Sequence, residues 1–289
     1  MKPVEFMAES EGVVVPTGPT SALAPSVWER LREHTPARIG LGRCGVGLPT
    51  AELLRFGLAH AQARDAVHVP LDITTLVHAL RDDGWPEPLV LHSRAGTRRD
   101  YLLRPDWGRR LDEPSVRLLQ KVSGKGPCPD LVLVVADGLS ALGIQRHAVA
   151  LLRAIRDVQE PDWVLAPPVV VEQGRVAVGD EIGELLEAQM VAVIIGERPG
   201  LSSPDSLGIY LTYQPRVGCR DAQRNCISNV RPEGQDLVIA AKRLMWLARE
   251  ARRQGCTGVA LKDMSGLPLT RADILDAPAS SEALTSQRR

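Results

Sequence analysis

The chain has 289 residues, room for one large domain or a domain with an appendage, and its 35 basic side chains balance 35 acidic ones. Zero formal net charge gives no global basic field for nucleic acid or an anionic membrane, and an aromatic share of 3% leaves few rings on which bases could stack. Five widely spaced cysteines (Cys44, Cys128, Cys219, Cys226, Cys256) form no C-x-x-C pair. They read as reduced cytosolic thiols rather than a zinc or redox motif. No run of 18 apolar residues would span a membrane, and the first residues lack the apolar core of a secretory signal.

Residues 1–24 mix Gly, Pro, Ser, Thr and Glu and read as a flexible N-terminal arm. Residues 25–88 read as a helical segment. Ser26 is placed to cap a short helix through Trp28, Leu31 and His34. Thr50 opens a helix through Leu54, Leu58, Ala61 and Ala66; Leu53 stands where a capping box needs Glu or Gln. Another helix follows Asp72 and ends near Gly84-Trp85-Pro86. From 89 to 263 the pattern alternates. Leu89–Ser93, Leu131–Ala136, Val169–Val171, Met190–Ile195 and Gly208–Tyr213 read as strands, and Gly258–Leu261 is expected to close the sheet. Helices are expected over Leu139–Arg156, from Asp180 through Met190, and over Leu237–Gln254. Residues 94–115 look irregular and Arg-rich, and Arg224–Val230 has little helix or strand character. Residues 264–289, rich in Ser, Ala and Pro, read as a disordered tail. Strands alternating with helices predict an α/β fold on a parallel, doubly wound sheet.

Gly40-Leu41-Gly42-Arg43-Cys44-Gly45 spells G-x-G-x-x-G, but no strand precedes it and the next helix waits until Thr50, so a structural turn outweighs a dinucleotide fingerprint. Ala136-Asp137-Gly138-Leu139-Ser140 is a strand, a tight turn and a helix start. Asp137 there is a cap, an anion-site neighbour, a nucleophile or a metal ligand, with no second carboxylate nearby in sequence. His60, Arg64, Asp65 and His68 form a polar stripe whose two histidines lie two turns apart, a spacing that favours solvent or a partner over a metal. His147 has no ligand partner in sequence. Met190-Val191-Ala192-Val193-Ile194-Ile195 is apolar throughout, as in a strand buried on both faces, and Glu197 lies just beyond it, where ligands sit in open α/β sheets. Cys226 is either a thiol activated by Arg224 or a half-buried filler. The residues themselves leave open a self-sufficient α/β hydrolase or transferase built on Asp137 or Cys226, and a non-catalytic scaffold.

Several long segments together are far more specific. They are Leu48-Pro49-Thr50 with the helix ending His60-Ala61-Gln62-Ala63-Arg64-Asp65, then Arg104-Pro105-Asp106 with Arg109-Arg110-Leu111, then Ala136-Asp137-Gly138-Leu139-Ser140, Gly196-Glu197-Arg198-Pro199-Gly200-Leu201 and Arg224-Asn225-Cys226-Ile227-Ser228-Asn229. From about residue 25 to residue 263 the chain resembles the small subunit of ethanolamine ammonia-lyase. The resemblance implies a Rossmann-like, mainly parallel sheet with an N-terminal helical extension. It implies one subunit of a hetero-oligomer, inactive alone, that turns ethanolamine into acetaldehyde and ammonia by adenosylcobalamin radical chemistry against a catalytic TIM-barrel large subunit. The cobalamin contacts it carries over are Val176, Glu197 and Cys226, with no catalytic residue and no metal ligand in this chain. D-x-H-x-x-G is absent, since Asp65-Ala66-Val67-His68 has the wrong spacing, so the cobalt is expected to keep its own dimethylbenzimidazole base. The first two helices and the Arg98–Arg110 stretch are candidates for docking on the large subunit. A cytoplasmic location follows, with the arm as a candidate address for a bacterial microcompartment.

Overall fold

The computed structural model describes residues 27–266. The expected arm (1–24), the Ser26 cap and the tail beyond Gly266 lie outside the described residues. Those described fall into two units, dividing between Arg55 and Phe56. In the first, α1 (Val27–Arg32) is followed by the glycine loop, where Cys44 and Gly47 exchange backbone hydrogen bonds of 2.9 and 3.1 Å across a tight turn. The loop is a turn and no strand feeds it. α2 (Thr50–His68) begins in this unit and ends in the second.

The second unit carries the sheet. α3 (Ile73–Asp82) starts at Asp72, whose carboxylate accepts from the Thr75 amide at 3.0 Å, an N-cap that satisfies one free helix-start donor. β1 (Leu89–His92) is followed by α4 (Arg98–Leu103), capped by Thr97, and α5 (Glu113–Val122), capped by Asp112. Thus the stretch expected to be irregular is largely helical: capping side chains at Thr97 and Asp112 start two helices too short to show a long apolar period. β2 (Leu131–Ala136), α6 (Ala141–Asp157), β3 (Val169–Glu172), α7 (Val178–Leu185) and β4 (Met190–Gly196) follow the expected alternation. β5 (Leu207–Tyr213), β6 (Arg224–Val230) and α8 (Leu237–Gln254) complete the unit.

The six strands lie in the order β1-β3-β2-β4-β5-β6. The first four are parallel, but β5 runs antiparallel to β4, and β6 antiparallel to β5. The α/β class stands, and three of the five strand pairings are parallel, but the sheet is mixed, which corrects the expectation of a parallel sheet throughout. The physical reason is the connection. A parallel crossover needs a dozen or more residues and normally a helix, whereas β4 reaches β5 through residues 197–206 without one. Two further corrections concern the edge. Arg224–Val230 is a strand. Gly258–Ala260 is a 3-10 turn rather than a closing strand, fastened by Asn225, which accepts from the Gly258 amide at 2.8 Å and donates to the Leu261 carbonyl at 2.8 Å.

Every residue of β2 and β4 is buried, so alternate side chains feed two cores. Leu131, Leu133 and Val135 pack with Ile144, Leu151 and Leu244 from α6 and α8; Val132 and Val134 pack with Leu119 and Ile182 from α5 and α7. α7 begins at Val178 rather than at Asp180. Asp180 does not cap it, because its carboxylate takes both terminal nitrogens of Arg224, at 2.6 and 2.7 Å, with both side chains 2% exposed.

Candidate functional site

The carboxyl ends of β2, β3 and β4 lie side by side. β5 begins and β6 ends at that same edge, because β5 runs antiparallel to β4 and β6 antiparallel to β5. Glu197 is the first residue after β4, and its amide donates to the Ser206 carbonyl at 3.0 Å. Its side chain reaches across the start of β5 to β6, where both carboxylate oxygens accept from the Asn229 amide at 3.2 Å. Two local features allow this. Gly208 has no side chain to block the path: a Cβ there would stand 3.2 Å from Glu197 Oε1. β6 also carries one extra residue between its pairings with Leu207 and Ile209, and Asn229 takes a left-handed conformation (φ 55°) that Asn tolerates well. The bulge leaves the Asn229 N–H out of the strand ladder, and Glu197 supplies the acceptor.

Val176 follows β3 in the short turn into α7. With Glu197 it lines a hollow of about 450 Å³ whose other walls include Tyr101, Arg175, Ile195 and Tyr210. Cys226 is not in the wall. It is exposed, pairs with Tyr210 across β5 and β6, and shares a hydrogen bond with the Tyr210 hydroxyl, which does line the hollow. Thus Val176 and Glu197 come together directly, and Cys226 joins them through Tyr210. The Cys226 thiol is no activated nucleophile. Although the residue is exposed, the strand edge around its thiol sheds enough water to push it up, the Tyr210 hydrogen bond pulls it back only in part, and the Glu197 charge raises it further. Arg224, the expected activator, is spent on Asp180, the Thr212 hydroxyl (2.9 Å) and the Cys219 carbonyl (2.9 Å).

Asp137 is 2% exposed and does not cap α6. Its Oδ1 accepts from the Gly174 amide at 3.1 Å, and its Oδ2 lies 3.8 Å from Arg98 Nη1. Burial pushes its carboxyl up to about 6, against the pull of Arg98 and of backbone amides at Gln173, Gly174 and Gly138. The turn after β2 is no anion site of the free-amide kind, since the Leu139 amide is taken by the Gly196 carbonyl at 2.9 Å. Of the Arg-rich stretch, Arg98 turns inward and Arg110 binds Glu181 through two hydrogen bonds of 2.8 and 3.0 Å, so neither is a free docking cation. His60, Arg64, Asp65 and His68 are all exposed on α2, and His147 faces Asp205 at 3.5 Å. Among the described residues no group of three or more His, Cys, Asp or Glu side chains could hold a metal ion, and no helix is long and apolar enough to cross a membrane.

Sequence reasoning missed Tyr101, Tyr210, Arg98 and Arg175. Composition held one signal: the chain has only three tyrosines, and two of them wall this hollow.

The family model for ethanolamine ammonia-lyase light chain (EutC) matches residues 25–262. The chain belongs to the ethanolamine ammonia-lyase light-chain family. An ethanolamine ammonia-lyase small subunit of Ralstonia nicotianae is 56% identical over 247 residues, covering 85% of this chain and 91% of the relative. Small subunits from Pseudomonas aeruginosa strain LESB58 and Xanthomonas campestris pv. campestris are 57% and 55% identical, across 84% and 85% of this chain and 89% and 91% of theirs. As an ethanolamine ammonia-lyase light chain, this polypeptide is one subunit of a multi-subunit lyase of the ammonia-lyase type. That membership leaves the hydrolase, transferase and scaffold readings without support, in keeping with a protonated Cys226 and an Asp137 enclosed by Arg98 and backbone amides.

Proposed function

We propose that this chain is the small subunit of an adenosylcobalamin-dependent ethanolamine ammonia-lyase, covering the cofactor against a TIM-barrel large subunit that binds the substrate and carries out the conversion to acetaldehyde and ammonia. The observation that carries the reading is the convergence of Val176, Glu197 and the Tyr210–Cys226 pair on one sheet edge, beyond the strand ends where open α/β sheets hold ligands. The residues suit the group. Corrin is rimmed with neutral amides, which donate through N–H and accept through C=O. Glu197 offers carboxylate oxygens already oriented by Asn229, the Val176 carbonyl keeps a second lone pair beside the one that accepts from the Gly179 amide, and Cys226 offers a small polarizable contact. The hollow is shallow against the size of a corrin, as fits a surface that covers one side of a cofactor shared with another chain.

Adenosylcobalamin, when bound, would supply the radical chemistry, and the protein would supply binding, orientation and exclusion of water. This chain's part is to hold and to shield. Glu197 accepts from the cofactor's amides, Val176 and Cys226 seat its rim, and Ile195 and Tyr210 exclude solvent beside them. A cytoplasmic location, with residues 1–24 as an address for a bacterial microcompartment, belongs to the same reading.

The test is reconstitution. Co-expressed with an ethanolamine ammonia-lyase large subunit, the chain is expected to co-purify with it, show a corrin absorption spectrum after loading, and deaminate ethanolamine; each subunit alone is expected to be inert. Glu197→Ala should raise the cobalamin Kd of the complex about tenfold, the scale of one hydrogen bond to a charged group. Turnover by this chain alone, or an unchanged Kd, would count against the reading.

A further inference from the structure

We infer that Asp137 is a positioning residue: clasped to Arg98, it fixes the turn after β3 so that Val176 stands at the rim of the hollow. The inference rests on the proposed cobalamin-covering role, which says what Val176 faces, and deepens it by naming what holds Val176 there.

Burying this pair is expensive. A carboxylate and a guanidinium taken out of water are weak sources of stability, and an apolar pair of similar volume would often serve the fold as well or better. Asp137 nonetheless sits beneath the ligand edge with 3% of its side chain exposed, and Arg98 with 17%. Neither does an ordinary structural task. Asp137 does not cap α6, and Arg98, in the first turn of α4, points inward instead of to solvent.

What the pair does is join segments. Arg98 Nε donates to the Val67 carbonyl at 2.7 Å, and Nη1 donates to the Gly138 carbonyl at 2.8 Å and to Gln173 Oε1 at 3.3 Å. One guanidinium therefore ties the end of α2, the turn after β2 and the turn after β3. Asp137 answers from the other side by accepting the Gly174 amide. The turn needs such restraint. Gln173 is held at φ 53°, a conformation that costs a residue other than glycine, and its carbonyl is pinned by the Ser93 hydroxyl at 2.8 Å. Arg175 is braced in turn. Its amide donates to the Gly108 carbonyl at 2.7 Å, its Nη2 to the Tyr101 carbonyl at 2.9 Å, and its guanidinium stacks 4.1 Å from the Tyr101 ring centroid. Tyr101 receives Arg98 as well, at 4.7 Å. Val176 is the next residue: its side chain is half-buried against the core below, and the residue lines the hollow.

The same geometry sets a pH dependence. The groups that act on Asp137 are the Arg98 cation and the Tyr101 hydroxyl, both from α4, with Arg175 from the turn after β3 stacked on Tyr101. The Arg98 guanidinium is a fixed cation, and burial pushes the Tyr101 hydroxyl up to about 12. Asp137, at about 6, is the group of this cluster that changes state near neutrality. Protonation removes its attraction to Arg98 and weakens the clasp.

The experiment uses the assembled two-subunit enzyme with Asp137→Asn and, as a charge-keeping second variant, Arg98→Lys. Two readouts are taken: cobalamin Kd from corrin absorption at pH 7.5 and 5.0, and amide hydrogen exchange of residues 173–176 without cofactor. Asp137→Asn is expected to bind about tenfold more weakly at pH 7.5, because the attraction to Arg98 is lost and the Gly174 amide faces a neutral acceptor, with no further change at pH 5.0. The unsubstituted enzyme should fall toward the variant's value at pH 5.0. Exchange at 173–176 should speed up in Asp137→Asn and less so in Arg98→Lys. Wild-type Kd, pH profile and exchange in Asp137→Asn would overturn the inference. If the unsubstituted enzyme bound no cobalamin, the proposed function would fall, and exchange alone would still decide what Asp137 holds. If Asp137→Asn failed to assemble, unchanged exchange in Arg98→Lys and Arg98→Gln would overturn it.

Discussion

Cys226 is the residue at which two chemistries part. A nucleophilic thiol needs a neighbour that stabilises the thiolate, as a cation or a helix N-terminus does. Here the neighbours are Tyr210, Glu197 and a partly dehydrated strand edge, and the net push is upward from the ordinary thiol value of 9.0. The sign follows: at pH 8 Cys226 carries less thiolate than a free cysteine, although it is exposed. Alkylation by iodoacetamide should therefore be slower at Cys226 than in an unstructured cysteine peptide at pH 8, with a midpoint in its rate profile above 9. Mass spectrometry of the labelled chain measures both. A Cys226 that outpaced the peptide would reinstate the nucleophile.

At the scale of elements, the ligand edge rests on two turns that fit only because neither carries a side chain. Gly138, after β2, has φ +58°, and a Cβ there would fall well inside contact distance of the Gly196 carbonyl and the Ile195 side chain. Gly196, ending β4, would press a Cβ equally hard into the Ser140 and Asp137 carbonyls. Gly138→Ala should thus cost about 2–4 kcal/mol, combining overpacking against backbone with a left-handed φ. Gly124→Ala is the control. Its φ is +73° but no atom lies within 4 Å of the added methyl, so about 1 kcal/mol is expected. Urea unfolding of both variants separates the two terms, and equal losses would refute the close-packing account. Much of this was legible in the sequence: the apolar runs named β2 and β4, Asp72 named its helix, and Glu197 was placed at a strand end by position alone. The direction of β5 was not, because Gly208–Tyr213 has the same alternating pattern whichever way it runs, and only the helix-free connection decides. Nor was β6, whose polar residues Asn225, Ser228 and Asn229 hide a strand at the sheet edge, where one face need not be apolar. Asp137 stayed ambiguous because its partner, Arg98, comes from a helix 39 positions earlier that no periodicity reveals.

For the whole molecule the governing fact is charge. With basic and acidic side chains equal in number, repulsion between copies is weakest near neutral pH, where nothing long-ranged opposes association. The surface adds an attraction. Within the short first unit, Val27, Trp28, Val46, Leu48, Leu53 and Leu54 are each more than half exposed. Single exposed apolar residues are ordinary, and here six of the unit's 29 described positions are of that kind. α2 reinforces the point, since only Ala59 and Ala66 of its 19 residues are buried. A lyase subunit that normally shares its surface with another chain has no need to be soluble by itself. The isolated chain should therefore scatter light most strongly near pH 7, and scatter less at pH 5.5 or 8.5 as net charge of either sign builds up. Adding the large subunit at equal concentration should abolish the maximum. Replacing Leu53 and Leu54 by Lys should lower the scattering of the isolated chain at pH 7, both by restoring net charge and by removing apolar area. A chain that stays monodisperse at pH 7 and high concentration without its partner would mean that this surface is complete as it stands, and the case for a subunit would then rest on the sheet edge alone.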